Sequence, residues 1–399
     1  MQIERRANFL DHFFHLFLGA LLAIGLTGCA TRYRSDELQS FDQAIVAATD
    51  ALLRQPATSS ALLPLGAAPP DRRVIVLDPT LDAGSGQQTA GTQRLDRTIA
   101  AHAGANFKQI EILTFKAANL PRAQYLLAGT LARQDAGLRI HLALVDLKDG
   151  TVAAQASTLA RVDDVDMTPL AYYRDSPVLV KDEVIEGLVR TSRAGRGERA
   201  DATYLGYIAT ATVINDATQL YNAGRYREAL AHYRRAAATP GGEQIRVLNG
   251  IYLTTLKLGQ SAEAEDAFGR VVAYGIAHNQ LGVKFLFNPG STDFWSDPRV
   301  TSAYRMWLRQ IAKQGGSARV CMDIVGHSSK TGPEEVNDSL SLRRAQYIRQ
   351  RLAAESAELA DRTRPKGQGS RQNLVGSGTD DVVDALDRRV EFAIVECGR

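Results

Sequence analysis

Asn337-Asp338-Ser339-Leu340-Ser341-Leu342-Arg343-Arg344-Ala345 is the stretch that decides the fold of the C-terminal region. Leu340, Ala345, Ile348 and Leu352 are spaced for one apolar face, so Asn337–Leu352 reads as a helix. Upstream, Ala318–Val325 reads as a strand that runs into Gly326-His327-Ser328-Ser329. Val300–Lys313 reads as the helix before it, and Val283–Phe287 as the opening strand, continuing into Asn288-Pro289-Gly290-Ser291. Downstream, Leu374–Val375 and Arg389–Val395 are expected as two further strands, with Asp387-Arg388-Arg389-Val390-Glu391-Phe392 leading into the last. The order βαβαββ implies an α+β sandwich with its helices on one face.

Four of these pieces, in order, resemble the OmpA C-terminal-like family of peptidoglycan-binding modules. Phe285-Leu286-Phe287-Asn288-Pro289-Gly290-Ser291 is similar to the family's first strand and loop. Gly326-His327-Ser328-Ser329 falls where the family has Gly-His-Thr-Asp, and 337–345 fits its N-x-x-L-S-x-x-R-A helix without a gap. Asp387–Phe392 resembles the terminal Asn-Arg-Arg-Val-Glu-Phe, with Asp387 in place of Asn.

The resemblance implies a ligand, the diaminopimelate of the peptidoglycan stem, whose side chain carries an ammonium and a carboxylate. An arginine suits the carboxylate because its planar fork offers two parallel donors. By position that arginine is Arg344, while the family's ammonium-binding carboxylate falls on Ser329. Asn337 and Arg388, in the adjoining motifs, complete the expected contacts. A serine hydroxyl supplies no charge, which costs about 1–2 kcal/mol against a charged partner. Asp323, Glu334, Glu335 and Asp338 are the nearby carboxylates that could compensate.

The other end of the chain sets the compartment. Arg5 and Arg6 precede an apolar run, Phe13 to Leu26, too short for a comfortable membrane span. It ends in Leu26-Thr27-Gly28-Cys29, which resembles a bacterial lipobox with Cys29 as the lipid acceptor. Ala30 after the cysteine, rather than Asp, implies by family analogy sorting to the outer membrane, facing the periplasm. Lipidation leaves Cys321 and Cys397 as an even pair where disulfides persist, so a disulfide is expected, two buried free thiols being the alternative.

Between these ends the chain reads as an α+β multidomain protein. Signal peptide 1–28 precedes a lipidated N-terminus, helix and linker over 29–71, with Leu38, Phe41, Ile45, Ala48 and Leu52 marking a helix over 35–55. Pro56 to Asp71 reads as a linker. Over 72–200 an α/β domain is expected, with strands at Arg73–Leu77, Gln109–Phe115, Tyr125–Arg133, and a hairpin turning at Asp149-Gly150. Its Gly84-Ser85-Gly86 loop lacks the Gly-Lys-Ser/Thr of a phosphate loop and reads as a plain turn.

Over 201–275, Gly224, Ala229, Tyr233 and Ala236 recur 35 positions later as Gly259, Ala264, Phe268 and Val271. This resembles a pair of tetratricopeptide repeats, implying either a docking surface for an envelope protein or a helical spacer. The OmpA-like region then occupies 276–399. The basic run Arg343 to Arg371 reads as a solvated helix and mobile loop, the alternative being attraction to anionic cell-wall or lipopolysaccharide groups.

No catalytic constellation, metal-ligand spacing or cofactor motif is present in the sequence. A net charge of +3 over 399 residues gives no reason to expect nucleic acid as a partner. The expected function is a lipoprotein tether between outer membrane and peptidoglycan. The alternative is an accessory subunit of an envelope assembly or secretion machine whose OmpA-like domain binds protein instead.

Overall fold

The computed structural model describes residues 33–55, 72–134, 137–163, 165–178, 181–374, 378–380 and 384–398. The lipobox with Cys29, and the 56–71 linker, lie outside the described residues.

The first layer is a mixed sheet. Its elements are β1 (Tyr33–Gln39), α1 (Phe41–Leu53), β2 (Arg73–Leu77), β3 (Leu81–Asp82), α2 (Ala90–Asn106), β4 (Ile110–Thr114), β5 (Tyr125–Gln134), β6 (Gly137–Asp146) and β7 (Val152–Arg161). The strand order is β1-β7-β6-β5-β2-β4, with β3 beside β5. β2 pairs in parallel with β4 and β5, while β5, β6 and β7 form an antiparallel meander. Gly150, at φ 74°, supplies the left-handed residue of the β6–β7 turn. Phe41, Ile45 and Leu52 of α1, with Leu95 and Ile99 of α2, bury one face with Leu127, Ile140 and Leu142.

The expected helix over 35–55 is therefore shorter. Residues 33–39 form a strand parallel to β7, and α1 belongs to the sheet's core rather than to a separate leader. Two features set the boundary. Ser40 and Gln43 form a capping box that starts the helix at Phe41. Arg139, buried on β6, donates to the Ser35 carbonyl at 2.6 Å and to the Asp36 carboxylate, which holds the preceding segment extended.

Next come α3 (Ala171–Asp175), α4 (Glu183–Arg193), α5 (Ala202–Gly206), and four helices in two hairpins, α6 (Ile208–Asn222), α7 (Tyr226–Ala237), α8 (Ile245–Lys257) and α9 (Ser261–Ala277). Val184, Ile185 and Leu188 of α4 cover the second face of the first sheet with Leu126, Ala128 and Val145. Gly224 and Gly259, at φ 74° and 73°, make the same left-handed turn in each hairpin, where a side chain would strain the backbone. A Cβ on Gly250 would lie 2.3 Å from the Tyr233 ring, so that glycine lets α7 and α8 approach. Asn215 of α6 donates to the Phe115 carbonyl at 3.1 Å, docking the hairpins on the sheet domain.

The last region holds β8 (Phe285–Leu286), α10 (Pro298–Thr301), α11 (Tyr304–Ala318), β9 (Cys321–Gly326), α12 (Glu334–Glu355), α13 (Ala357–Asp361), β10 (Thr363–Gly367) and β11 (Arg389–Val395). The sheet order is β10-β9-β11-β8, with β10 parallel to β9 and the other pairs antiparallel. The βαβαββ order stands, but the third strand is Thr363–Gly367, not Leu374–Val375. Leu374 is a bend, half exposed, and Val375 lies outside the described residues. The strand Thr363-Arg-Pro-Lys-Gly has no apolar alternation and contains Pro365, which suits the sheet edge it occupies. The opening strand is also shorter than expected, two residues, and the first long helix begins at Tyr304 and runs to Ala318.

One hydrophobic core runs through the hairpins into this region. It joins Tyr233, Tyr252 and Phe268 to Phe285, Trp307, Ile348 and Phe392. The Phe268 and Trp307 rings stack 5.5 Å apart, and Arg309 holds Glu265 in a bidentate pair at 2.9 and 2.8 Å. Among the described residues no helix is long and apolar enough to cross a membrane.

Candidate functional site

The small residues of the decisive helix motif set how close α12 lies to the sheet. A Cβ on Gly326 would fall 1.9 Å from the Ser341 carbonyl oxygen, so glycine is required where β9 ends. Ser341 Oγ donates to the Asp338 carbonyl at 2.8 Å and accepts from the Gly369 amide at 2.9 Å, joining α12 to the loop after β10. Asn337 hooks the preceding loop, its amide donating to Thr331 and Gly332 carbonyls at 3.1 and 3.4 Å. The motif is thus a packing device first. It fixes the loop 327–333, on which Ser329 sits, against the start of α12.

That packing aims Arg344 into the centre of the loop cluster. Its guanidinium donates to the carbonyls of Asn288, Ser291 and His327 at 2.8, 2.9 and 2.9 Å and lies 5.4 Å over the Phe287 ring. Arg344 is fully enclosed, so it clamps the β8 loop to the β9 loop and faces no solvent in this conformation. Burial, reinforced by the charge of Arg388, pushes its pKa down to about 10. Arg388, also fully buried, donates to the Phe287 carbonyl at 3.2 Å and lies 5.2 Å over the Trp295 ring. Two guanidiniums therefore share one small volume beneath the Asn288–Trp295 loop.

The carboxylate beside them comes from a residue the sequence did not single out. Asp380 Oδ1 accepts from Ser329 Oγ at 2.5 Å and from Arg388 at 3.2 Å. Asp380 adopts φ 55°, a left-handed conformation that aspartate tolerates better than most residues. No sequence signal marks it, since it is one acid in an irregular loop far from the helix motif.

The four carboxylates expected as compensators stand elsewhere. Lys366 binds Asp323 at 2.6 Å, and Arg371 binds Glu334 and Asp338 at 3.1 and 2.8 Å. Glu335 lies exposed in the first turn of α12. Those pairings also account for part of the basic run. Arg349 adds hydrogen bonds to the Thr363 and Ala360 carbonyls at 3.2 and 3.1 Å, and Arg362 an ion pair with Glu358 at 3.1 Å. Arg364 and Lys366 lie on β10, in a strand rather than the loop expected there.

Below the arginine pair, Glu391 contacts His327 at 3.1 Å and Arg389 at 2.9 Å. Burial alone would raise the Glu391 carboxyl, but His327 and Arg389 hold it far below the usual carboxylate range. Burial pushes His327 below its ordinary value and Lys284 down to about 7. Asp387 is buried and accepts from the Leu374 amide at 2.5 Å, a fixed role in the loop before β11. Cys321 and Cys397 are disulfide-bonded, Cα atoms 5.1 Å apart, linking the start of β9 to the tail after β11.

A second concavity lies between the first sheet and the hairpins, lined by Asp78, Phe115, Tyr172, Tyr204, Asn215 and Arg246. Burial raises Asp78 to about 7, against the opposing hydrogen bond from Tyr204 at 2.5 Å. The Gly84-Ser85-Gly86 loop is a turn closed by Ser85 on Asp82, and Gly86 packs on Lys181.

No family model and no curated protein matches this chain. Among solved structures, the peptidoglycan-associated lipoprotein from Burkholderia pseudomallei is similar over 28% of this chain and 89% of that one, at 21% identity and TM-score 0.24. An outer membrane protein from Borrelia burgdorferi B31 is similar over 28% and 85% respectively, at 26% identity and TM-score 0.22. The cell wall anchor of the T6SS from Pseudomonas aeruginosa is similar over 28% and 76%, at 22% identity and TM-score 0.22.

Proposed function

We propose that this protein is a lipid-anchored envelope protein of the outer membrane that binds peptidoglycan non-covalently through residues 276–399. The observation that supports this most is the buried pair Arg344 and Arg388 beneath a loop, with Asp380 beside them. Such a site suits a zwitterionic side chain, taking its carboxylate on guanidinium and its ammonium on carboxylate. Three of the five N–H groups of Arg344 hold carbonyls, two of them on the Asn288–Trp295 loop, whose opening would release those two to a ligand carboxylate. Reaching them requires the Asn288–Trp295 loop to swing outward, so binding is coupled to loop opening. Acyl chains on Cys29 would hold the site near the wall and raise its effective concentration there. The hairpins, packed on both sides, act as a rigid coupler between the sheet domain and the wall-binding region, with their outward helix faces as the surface for a protein partner.

A second reading has an observation in its favour. Arg344 is fully enclosed, as in a domain that has given up its glycan ligand and serves as an accessory subunit of an envelope machine.

Sedimentation of the full chain with isolated diaminopimelate-type sacculi tests the two. The first reading expects the chain to pellet, free meso-diaminopimelate to compete, and Arg344→Lys to bind at least tenfold more weakly, with some loss of melting temperature because the buried carbonyls lose part of their clamp. A folded wild-type chain that stays in the supernatant rejects wall binding and favours the protein-partner reading.

A further inference from the structure

We infer that Asp380, not a residue of the β9 loop, is the group that receives the ligand's ammonium, with Ser329 as its positioning residue. The inference rests on the peptidoglycan reading above and names the side chain that completes its site.

The argument starts from charge. Arg344 and Arg388 are enclosed within one loop cluster and would attract a carboxylate, but a cationic group has no reason to enter beside them without an anion. Among the described acidic residues, Asp380 is the one joined to both the Ser329 loop and Arg388. Its side chain is 27% exposed whereas Arg388 is 1%, so the carboxylate stands at the mouth and the guanidinium behind it. Oδ1 accepts both bonds, from Ser329 and Arg388, and Oδ2 has no hydrogen-bond partner among the described residues. A partly exposed carboxylate fixed by one oxygen, with the other left without a partner among the described residues, is preorganised to take an ammonium.

Ser329 is then no loss. Its hydroxyl donates to the carboxylate at 2.5 Å, whereas an aspartate at 329 would set two anions at hydrogen-bond distance. Like charges so close cannot both ionise without cost. The pair Ser329/Asp380 thus places on the 378–380 segment a charge that an acidic residue at 329 would have carried on the β9 loop.

The test uses the full chain on diaminopimelate-type sacculi, with free meso-diaminopimelate and pimelate as competitors. Pimelate has the same two terminal carboxylates and carbon backbone but no ammonium. Asp380→Asn is expected to weaken competition by meso-diaminopimelate about tenfold and leave pimelate unchanged. Ser329→Asp alone is expected to bind no better than wild type, and Asp380→Ser combined with Ser329→Asp to recover most of the loss. Equal weakening of both competitors by Asp380→Asn would mean a merely structural role and would overturn the inference, as would no effect on either. A wild-type chain that ignores the sacculi overturns the wall-binding reading itself. A wild type that binds beside an unaffected Asp380→Asn overturns this inference alone.

Discussion

The indole N–H of Trp307 donates to the Tyr252 hydroxyl at 2.7 Å, across the boundary between the second helical hairpin and the C-terminal region. Both side chains are buried, at 3% and 0% exposure, so neither can exchange this bond for water. The bond ties the hairpin to the C-terminal region within their shared core. Trp307→Phe leaves the hydroxyl without its donor and is expected to cost about 1–2 kcal/mol in urea unfolding. Trp307→Ala removes the ring stacked on Phe268 as well, and is expected to cost about 3–5 kcal/mol. Calorimetry of the alanine variant should show the single transition split in two. A single unshifted transition would show that the regions are not coupled through this contact.

Lys284 is expected to give the protein a stability that rises with pH above neutrality. Its ammonium is pushed from 10.5 to about 7 by burial and by Arg389. Between those values the unfolded chain holds a proton that the folded chain has released. Stability therefore climbs as pH rises from about 7 towards 10.5. Lys284→Met removes this term. The difference between wild type and variant in unfolding free energy should shrink or change by on the order of 1–4 kcal/mol from pH 7 to pH 9.5, wild type gaining. Parallel pH profiles for the two proteins would show that Lys284 stays charged in the fold.

The Cys321–Cys397 bridge joins residues 76 positions apart and encloses the whole of β9 to β11 with α12 between. Closing a loop that long restricts the unfolded chain, and its loss is expected to cost about 2–4 kcal/mol. The double variant Cys321→Ser/Cys397→Ser should melt at the temperature of the reduced wild type and ignore reductant. A wild type indifferent to reductant would mean that the bridge does not form in the purified protein.

The sequence made the scaffold legible wherever apolar period and close packing coincide. Leu340, Ala345, Ile348 and Leu352 are all buried on α12, and the alternating Leu138, Ile140, Leu142 and Leu144 lie on β6 before the turn to β7 that Asp149-Gly150 announces. Legibility failed where long-range bonds override local pattern. The strand 33–39 is held by Arg139, more than a hundred positions away, so its own residues carry no reliable sign of it. Thr363–Gly367 is an edge strand of Thr, Arg, Pro, Lys and Gly and has no apolar signature. At the site, Arg344 is placed by a local helix motif and was visible, though its hold on three carbonyls was not. Asp380 reaches Ser329 from 51 positions away through a loop with no periodicity, and only three dimensions bring the two together.

Were Cys29 lipidated, the first strand would have a mechanical consequence. Three residues, 30–32, separate Cys29 from Tyr33, where β1 begins its parallel ladder with β7. At roughly 3.4 Å per residue, a lipid on Cys29 would hold the sheet within about 14 Å of the bilayer surface. The stand-off between membrane and wall would then be set by the dimensions of a continuous folded strut rather than by the slack of a leash. A change of spacing in the envelope would have to be met by letting go of the wall, or by tearing β1 from the edge of its sheet.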